Sequence, residues 1–361
     1  MGRKFNIFVS LPIKTDLCAL KFREHQVDPL FQLIRQPARV VIVTHKNPDG
    51  DALGSTLALA AVLQKLLHQV TVVLPNDYPP LFNFLQGIDK VVIGEMNPEL
   101  AMSSFEKADI IFCLDFNALD RIDRFGLDVM ASKAVKILID HHIDPEPFAD
   151  HILSNDLASS TAELVYDFLV QLSLDKYIDV PVAESLYTGI LMDTGSFRYS
   201  TNPHVFEIAA ALKKLGMDDY MLQIRLFNSM TEKQLKLLGH CLANRMELMG
   251  EYQTGIIWLD KDDYKNWAIG RGDTEGIVNY ILMVRNMKMA IFISEQQNVT
   301  KLSFRSKGNI NVQEICHTYF NGGGHRNASG GQMKASITET LAKVKEIIPL
   351  TMNLYQLQHE S

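Results

Sequence analysis

Cysteine is scarce in this chain of 361 residues, and the four that occur stand far apart, at Cys18, Cys113, Cys241 and Cys316. Because no CxxC pair is present, the sequence indicates neither a zinc ribbon nor a disulfide framework, and it favours a reducing, cytoplasmic setting. Long apolar runs are also absent, which argues against a membrane-spanning helix. In residues 1–28 the apolar pieces are short and broken by charges and a proline, so we expect an N-terminal extension rather than a signal peptide.

An excess of positive charge is absent as well. The chain has 35 lysines and arginines against 42 aspartates and glutamates, and its formal net charge is -7. This balance argues against broad nonspecific nucleic-acid binding, although it leaves room for a local basic groove. No long basic stripe with interleaved aromatic residues occurs, which favours a short substrate over a long nucleic-acid track.

The hydrophobic pattern of the first 200 residues is typical of an α/β fold. Short β-branched runs alternate there with helical patterns, with strands predicted at 38–45, 70–75, 108–115 and 134–140 and helices at 51–69, 159–172 and 181–192. Such alternation predicts a mostly parallel sheet with helices on both faces. Ligands in such folds collect at the C-terminal ends of the strands.

A second, smaller α/β domain is predicted in the last third of the chain. Helical patterns at 204–215, 217–227 and 231–248 come first, followed by strands at 250–259, 287–294 and 299–306. A chain of this length is also longer than one ordinary core needs. We therefore predict an extension, a first α/β domain, a helical connector and a smaller C-terminal α/β domain at 1–28, 29–205, 206–248 and 249–361.

Carboxylates and imidazoles follow three of the predicted strands and end one later helix. The stretch "THKNPDGDALGS" (44–55) begins this group, whose members are His45, Asp49, Asp51, Asp115, His141 and Asp193. Buried carboxylates repel one another, and metal ions remove that conflict. Mixed oxygen and imidazole donors suit an ion such as Mn²⁺. Six donors exceed the need of one catalytic ion and suit two ions about 3.5–4 Å apart, bridged by one carboxylate.

Simpler structural roles stay open for the single residues. Asp51 can cap the helix that follows it, and His141 and His142 can be buried histidines with satisfied hydrogen bonds. Taken alone, "GGGH" (322–325) is an ordinary glycine turn and Arg305 a solvated strand residue. The placement of the acidic segments at strand ends or in a turn favours a metal centre over these roles.

Five motifs occur in the order that a known family shows. "THKNPDGDALGS", "CLDFNALDRI" (113–122), "DHHID" (140–144) and "LMDTGSFRYS" (191–200) resemble the four signature motifs of the DHH phosphoesterases. "GGGHRNASGG" (322–331) resembles the glycine-rich signature of the DHH-associated C-terminal domain. The resemblance covers roughly residues 30–345 and is greatest to the branch of bifunctional nanoRNases (oligoribonucleases) and pAp phosphatases.

The resemblance implies a role for each acidic or histidine residue. His45 and Asp49 are expected to bind a first Mn²⁺, with Asp115 as the carboxylate that bridges to the second ion. The second ion is expected to be bound by Asp51, His141 and Asp193. His142 resembles the family's substrate-facing histidine near the scissile phosphate, and Asp140 the residue that orients the histidine pair.

In the C-terminal domain the resemblance implies substrate binding. Arg305, in "SFRSKGNINV" (303–312), is similar to an arginine that meets the substrate, and an arginine can bind phosphate in a bidentate manner. The glycine segment offers backbone that a phosphate can approach closely. The full set expected to bind substrate is Arg305, Gly322, Gly323, Gly324, His325 and Arg198.

The function implied by the resemblance is an Mn²⁺-dependent phosphoesterase with two ions, Mg²⁺ being the alternative metal, in a cleft between the two domains. It would degrade short oligoribonucleotides to mononucleotides and convert 3'-phosphoadenosine 5'-phosphate (pAp) to AMP. The alternative is hydrolysis of linear or cyclic dinucleotides such as pApA or c-di-AMP, and an inactive nucleotide-binding module is opposed by the intact motif set. We expect a cytoplasmic protein without a membrane partner, and a homodimer is one of the oligomeric states left open.

Overall fold

The computed structural model describes residues 30–228, 230–270, 272–296 and 299–359, so the predicted extension at 1–28 lies outside the described residues. The chain forms two compact units, an N-terminal unit up to residue 229 and a C-terminal unit from Met230 onward. Within the described ranges, no helix combines the length and the apolar character that crossing a membrane requires.

A six-stranded parallel sheet forms the centre of the N-terminal unit, with the strand order β3-β2-β1-β4-β5-β6. The prediction of a parallel sheet is therefore confirmed. Two strands that the pattern did not predict, β3 and β6, are two and four residues long, too short to leave a periodic signal. The strands are β1 (Arg39–Thr44), β2 (Gln69–Leu74), β3 (Val92–Ile93), β4 (Ile110–Leu114), β5 (Val135–Asp140) and β6 (His151–Ser154).

Helices cover both faces of this sheet, as the alternating pattern predicts. Val40 and Ile42 of β1 belong to the core on one face, and Val41 and Val43 to the core on the other. The helices of the first face are α1 (Gly50–Lys65), α4 (Thr161–Gln171), α5 (Val180–Asp193), α6 (Pro203–Lys214) and α7 (Asp219–Phe227), and those of the second are α2 (Pro98–Lys107) and α3 (Phe125–Ala131).

Helix α1 is buried on nearly all sides because it lies against the sheet and also packs on α4 and α5. Two glycines allow α1 and α5 to approach closely. A Cβ atom at Gly54 would lie 2.4 Å from the carbonyl oxygen of Ser185 in α5, and one at Gly189 would lie 2.7 Å from Oδ1 of Asp51 in α1. Any larger residue at these positions would push apart two helices that carry acidic residues of the first and fourth motifs.

The C-terminal unit contains a second six-stranded sheet, in the order β11-β12-β10-β9-β8-β7. Its strands β8 and β9 run parallel, whereas the other neighbours are antiparallel. The strands are β7 (Met246–Met249), β8 (Thr254–Leu259), β9 (Met289–Glu295), β10 (Thr300–Ser306), β11 (Gly323–His325) and β12 (Ala328–Met333). One face packs against α8 (Glu232–Asn244) and α10 (Ile277–Ile281), the other against α11 (Val312–Tyr319) and α12 (Ile337–His359), while α9 (Lys261–Asn266) follows β8.

The structure differs from the predicted pattern at three places. The helix expected at 231–248 ends at Asn244, and residues 246–249 form β7 instead. The glycine-rich segment, which taken alone indicates an ordinary turn, forms the hairpin of β11 and β12. Residues 206–248, expected as a connector, are divided between the units, because α6 and α7 pack into the first core and α8 into the second. The domain boundaries themselves stay a prediction.

Candidate metal centre

The predicted donors meet at the point where the strand order of the parallel sheet reverses. From β1 the chain continues to β2 on one side, whereas β4 lies on the other side of β1 and leads on to β5. The helices that follow these strands leave a crevice at such a point. His45 comes directly after β1, Asp115 after β4, and His141 after β5.

The first motif folds as a helix cap and a donor site at once. Asp49, not Asp51, is the N-cap of α1, since its Oδ1 accepts hydrogen bonds from the backbone N–H groups of Asp51 (3.0 Å) and Ala52 (3.1 Å). The other oxygen, Oδ2, lies 3.9 Å from Nε2 of His45. His45 Nδ1 lies 2.9 Å from the carbonyl oxygen of Lys46 and must donate to it, so the neutral ring carries its lone pair on Nε2.

Asp115 occupies the middle of the cluster. Its Oδ2 lies 3.4 Å from Nε2 of His45, and its Oδ1 lies 3.6 Å from Nε2 of His141. The carboxylate therefore presents one oxygen to each imidazole. Its backbone has φ 65°, a left-handed conformation that costs a non-glycine residue energy and that clusters at functional sites.

A second donor group comes from α1, β5 and α5. Nε2 of His141 lies 3.1 Å from Oδ2 of Asp193. Asp51 is fully buried, and its two oxygens accept hydrogen bonds from the backbone N–H groups of Thr161 (2.6 Å) and Ala162 (2.9 Å) at the start of α4. The partial positive charge of a helix N-terminus favours a carboxylate at this place.

Thr161 is a residue of the site that sequence reasoning missed. Besides its backbone contact with Asp51, its hydroxyl donates a hydrogen bond of 2.9 Å to Oδ1 of Asp115. The stretch "SSTAE" did carry a helix-start signal, because Ser160 caps α4 through the N–H of Glu163. That signal predicts the helix and says nothing of the two carboxylates, which lie far away along the chain.

His142 and Asp140 form a separate pair beside the donors. Oδ1 of the fully buried Asp140 accepts a hydrogen bond of 2.7 Å from Nδ1 of His142. The rings of His141 and His142 meet edge to face with their centres 4.8 Å apart. Asp140 therefore orients His142 directly, whereas the partners of His141 are Asp193 and Asp115.

The electrostatics of the cluster show that it needs positive charge. Burial, together with the charges of Asp115 and Asp193, raises the pKa of Asp51 well above its ordinary value. Burial lowers the pKa of His45, but its hydrogen bond with Asp115 and the charge of that carboxylate outweigh this and raise it to about 9. In the same way Asp193 and Asp115 raise the pKa of His141 above its ordinary value. These shifts indicate a cluster of closely spaced carboxylates that nearby positive charge stabilises, and divalent ions supply such charge.

The donor atoms fit divalent metal ions. One oxygen or nitrogen from each member of a group lies within 4.8 Å of the others, and the described residues provide three such groups. Two of these groups, His45–Asp49–Asp115 and Asp51–His141–Asp193, together contain each of the six predicted ligands once. The third, Asp115–His141–His142, uses the imidazole that Asp140 orients. Mixed carboxylate and imidazole donors suit ions such as Mn²⁺.

The predicted substrate-binding residues of the C-terminal unit lie on the two sides of β12, because β10 and β11 both pair with this strand. Arg305 of β10 and His325 of β11 both pair with Ala328 of β12, so the arginine and the glycine hairpin are brought together. Arg305 is half-buried, and Nη1 donates to the carbonyl oxygen of Phe304 at 2.9 Å. No ion pair of Arg305 with a carboxylate is found among the described residues, and burial lowers its pKa.

The three glycines of this hairpin have different reasons to be glycine. A Cβ atom at Gly322 would lie 1.9 Å from the carbonyl oxygen of Gly330, and Gly324 has φ +142°. Gly323, in contrast, would bring a Cβ atom within 4 Å of nothing. The fold of the unit thus explains Gly322 and Gly324, and it leaves Gly323 open to an approaching ligand.

Arg198 lies in the turn after α5, five residues beyond Asp193. Its side chain is exposed, and its backbone N–H donates to the carbonyl oxygen of Thr194 at 2.8 Å. The turn contains left-handed backbone at Gly195, Ser196 and Phe197. A role of Arg198 in substrate binding stays a prediction.

Fold and site together define a class: a doubly wound α/β protein with a cluster of carboxylates and imidazoles at its switch point. Comparison with known proteins agrees with this class. The model of the DHH family, N-terminal domain, matches residues 39–190, and that of the DHHA1 domain matches residues 264–349. A solved structure of an exopolyphosphatase-related protein from Bacteroides fragilis has a TM-score of 0.90 and 34% identity, covering 92% of this chain and 98% of that one.

The chain belongs to the DHH family and contains both the DHH and the DHHA1 domain. It is 25% identical over 300 residues to the bifunctional oligoribonuclease and PAP phosphatase NrnA of Bacillus subtilis, covering 81% of this chain and 89% of that protein. Other curated relatives are longer, and the chain spans less than half of the cyclic-di-AMP phosphodiesterase PdeA of Listeria monocytogenes (24% identity, 84% of this chain and 46% of that protein). Its DHH-family relatives hydrolyse phosphoester bonds.

Proposed function

We propose that the protein is a phosphoesterase that binds two Mn²⁺ ions, degrades short oligoribonucleotides to mononucleotides and converts pAp to AMP. The observation that carries this proposal is the position of Asp115, which turns one oxygen toward His45 (3.4 Å) and the other toward His141 (3.6 Å). A carboxylate between two donor groups suits a bridge between two ions. The similarity to NrnA supports the choice of substrates.

In this proposal His45, Asp49 and Asp115 would hold one ion, and Asp51, His141 and Asp193 would hold the other, with Asp115 shared by both. When bound, such a pair of ions activates water near neutral pH and neutralises the charge that develops on the phosphoryl oxygens. The N–H groups of Thr161 and Ala162 fix the orientation of Asp51, and the hydroxyl of Thr161 fixes that of Asp115.

His142 is proposed to contact the scissile phosphate. A carboxylate can only accept hydrogen bonds, so the bond with Asp140 requires the proton of the neutral ring to be on Nδ1. A proton on Nε2 as well would let this atom donate to a phosphoryl oxygen. Asp140 thereby sets both the tautomer and the orientation of His142.

The C-terminal unit is proposed to bind the nucleotide portion of the substrate. Arg305 offers a guanidinium group that is half-buried and forms no ion pair with a carboxylate among the described residues. Such a group can bind a phosphate without first breaking a salt bridge. Gly323 offers backbone that no side chain shields. Gly322, Gly324, His325 and Arg198 complete the proposed set.

Turnover of four substrates in parallel tests the proposal. The purified protein with added Mn²⁺ is assayed on pAp, on RNA of two to five nucleotides, on pApA and on c-di-AMP, with a metal-free control in EDTA. We expect metal-dependent release of phosphate from pAp and of mononucleotides from the RNA. Absence of hydrolysis on all four substrates, from protein shown to bind the metal, would contradict the proposal.

The alternative substrate class is linear or cyclic dinucleotides, and the similarity to PdeA is the observation that favours it. The same assay decides between the two. Higher kcat/KM on c-di-AMP or pApA than on pAp and on RNA of three to five nucleotides would establish the alternative, while the assignment of the metal ligands would stand.

A further inference from the structure

A concave pocket of about 330 Å³ lies in the C-terminal unit, outside the glycine hairpin, and its lining includes Lys307 and Gly308, which follow Arg305 closely along the chain. Three cationic side chains line it, those of Arg285, Lys288 and Lys307. No aspartate or glutamate is among the described residues that line it. We call this cavity the basic pocket.

The main chain around the basic pocket is fixed by the ends of three adjacent strands. Lys288 precedes β9 and Lys307 follows β10, and the N–H of Lys307 donates to the carbonyl oxygen of Lys288 at 2.8 Å. Gln253, just before β8, accepts at 2.7 Å from the N–H of Lys288. The two lysines therefore project from paired backbone at the ends of strands, whereas Arg285 lies in the turn between α10 and β9.

The polar groups that face the basic pocket are mostly hydrogen-bond donors. Arg285 is exposed and makes no hydrogen bond or ion pair with any other described residue. Nζ of Lys288 lies 5.8 Å from the ring centre of Tyr355, and Nζ of Lys307 donates to the carbonyl oxygen of Leu282. Neither contact neutralises a charge. Three cations without a carboxylate repel one another, and an anion would relieve that repulsion.

The basic pocket is a local feature in a chain whose net charge is -7. Residues 230–361 contain 15 lysines and arginines against 13 aspartates and glutamates, so the C-terminal unit as a whole is close to neutral. Overall charge therefore does not explain the cluster. Its volume lies at the lower end of the range for small-molecule sites and would accept a phosphate with the sugar that carries it.

We propose that the basic pocket is a second anion site, which binds the phosphate group of a nucleotide through Arg285, Lys288 and Lys307. Guanidinium and ammonium groups are the donors that phosphate oxygens prefer, and the side-chain amides of Gln253 and Asn286 add further donors at the rim. The identification of the anion as the phosphate of a nucleotide rests on the proposed function. The existence of an anion site does not rest on it.

Binding of AMP to the metal-free full-length protein in EDTA tests the site. The test variant is Arg285→Ala/Lys288→Ala, and the matched control, Lys301→Ala/Lys334→Ala, removes two exposed positive charges of the same unit outside the basic pocket. Both are compared in an Arg305→Ala background, which removes the substrate contact proposed above. Melting temperatures establish that each variant is folded.

Calorimetry should show that the test variant binds AMP at least about tenfold more weakly than its background, since charge-assisted hydrogen bonds are lost. The control should bind AMP as its background does, and adenosine, which lacks the phosphate, should not bind measurably. Equal losses in test and control variants, or equal affinity for adenosine and AMP, would overturn the proposal.

Turnover distinguishes the source of the phosphate. If the basic pocket takes a phosphate of an oligonucleotide, KM for RNA of five nucleotides rises in Arg285→Ala/Lys288→Ala, while KM for two nucleotides is unchanged. If KM is unchanged for both although AMP binding is lost, a free mononucleotide is the ligand. Failure of the protein to hydrolyse any substrate would defeat the proposed function and leave the AMP result intact.

Discussion

Replacement of Thr161 by valine should weaken metal binding without unfolding the protein. The side chain is fully buried, and valine keeps its shape while removing the hydroxyl that donates to Oδ1 of Asp115 at 2.9 Å. The backbone N–H that holds Asp51 stays in place. Because the lost donor orients the proposed bridging carboxylate, we expect Mn²⁺ affinity and kcat to fall about 10- to 100-fold, the usual effect of losing such a partner. This corresponds to about 1.4–2.8 kcal/mol.

Two further variants separate this effect from a general loss of packing. Thr161→Ser restores the hydroxyl and should recover most of the affinity. Thr56→Val changes another fully buried threonine, whose hydroxyl bonds only to backbone carbonyls within α1, and should leave Mn²⁺ binding unchanged. Mn²⁺ affinity and stoichiometry are measured by titration calorimetry at constant pH. If Thr161→Val bound two ions as tightly as the original protein, the orienting role of Thr161 would be refuted.

Three other predictions follow from the geometry. Asp115→Asn should reduce the Mn²⁺ stoichiometry below two and abolish turnover, since a neutral amide cannot bridge two ions; unchanged stoichiometry and rate would show that Asp115 is no bridge. Gly322→Ala should lower the melting temperature because its Cβ would meet Gly330, whereas Gly323→Ala should keep the fold and raise KM, so equal melting temperatures would contradict the packing argument. The hydrogen bond with Asp167 raises the pKa of His204 from 6.5 to about 9, so its stabilisation is complete below pH 6.5 and is lost as the pH rises to about 9. His204→Gln should remove this contribution to the fall of the free energy of unfolding with pH, which is at most about 3 kcal/mol and less after solvent screening. Urea unfolding in EDTA between pH 6.5 and about 9 measures it.

The parallel sheet was predictable because its central strands are long and strongly apolar. The helices between them have clear periodicity, and so the order of elements could be predicted as well. The edge strands β3 and β6 are too short to show a pattern. Residues 246–249 (Met-Glu-Leu-Met) were assigned to a helix because a stretch of only four residues does not distinguish a strand from the end of a helix.

The glycine hairpin could not be predicted from propensity, because glycine is depleted in strands. Here the glycines are needed by the strands themselves: Gly331 packs against Phe320, and Gly322 against the backbone of Gly330. Such contacts exist only in the folded unit. The sequence therefore predicted a glycine segment that a phosphate can approach, and the structure contains a sheet edge in which one glycine, Gly323, is open.

The prediction brought six donors to the C-terminal ends of the strands, and the structure has them in two groups of three whose donor atoms lie within 4.8 Å of one another. Strand ends converge by topology, which is why residues as distant as His45 and Asp115 could be associated. The roles of Thr161 and of Asp49 as helix cap were missed, because both depend on which hydrogen bond forms after the helices have packed. Their use as metal ligands or positioning groups is tested by the variants above.

The donors of the candidate centre are spread along the chain from His45 to Asp193, and this spread affects how long the folded protein persists in a cell. An unfolded chain cannot offer them together, so any ion that binds here binds the folded state alone and stabilises it by mass action. Scarcity of the metal would then shift molecules toward the unfolded state, in which proteases cleave them. The amount of the protein, and not only its rate of turnover, would follow the supply of the ion.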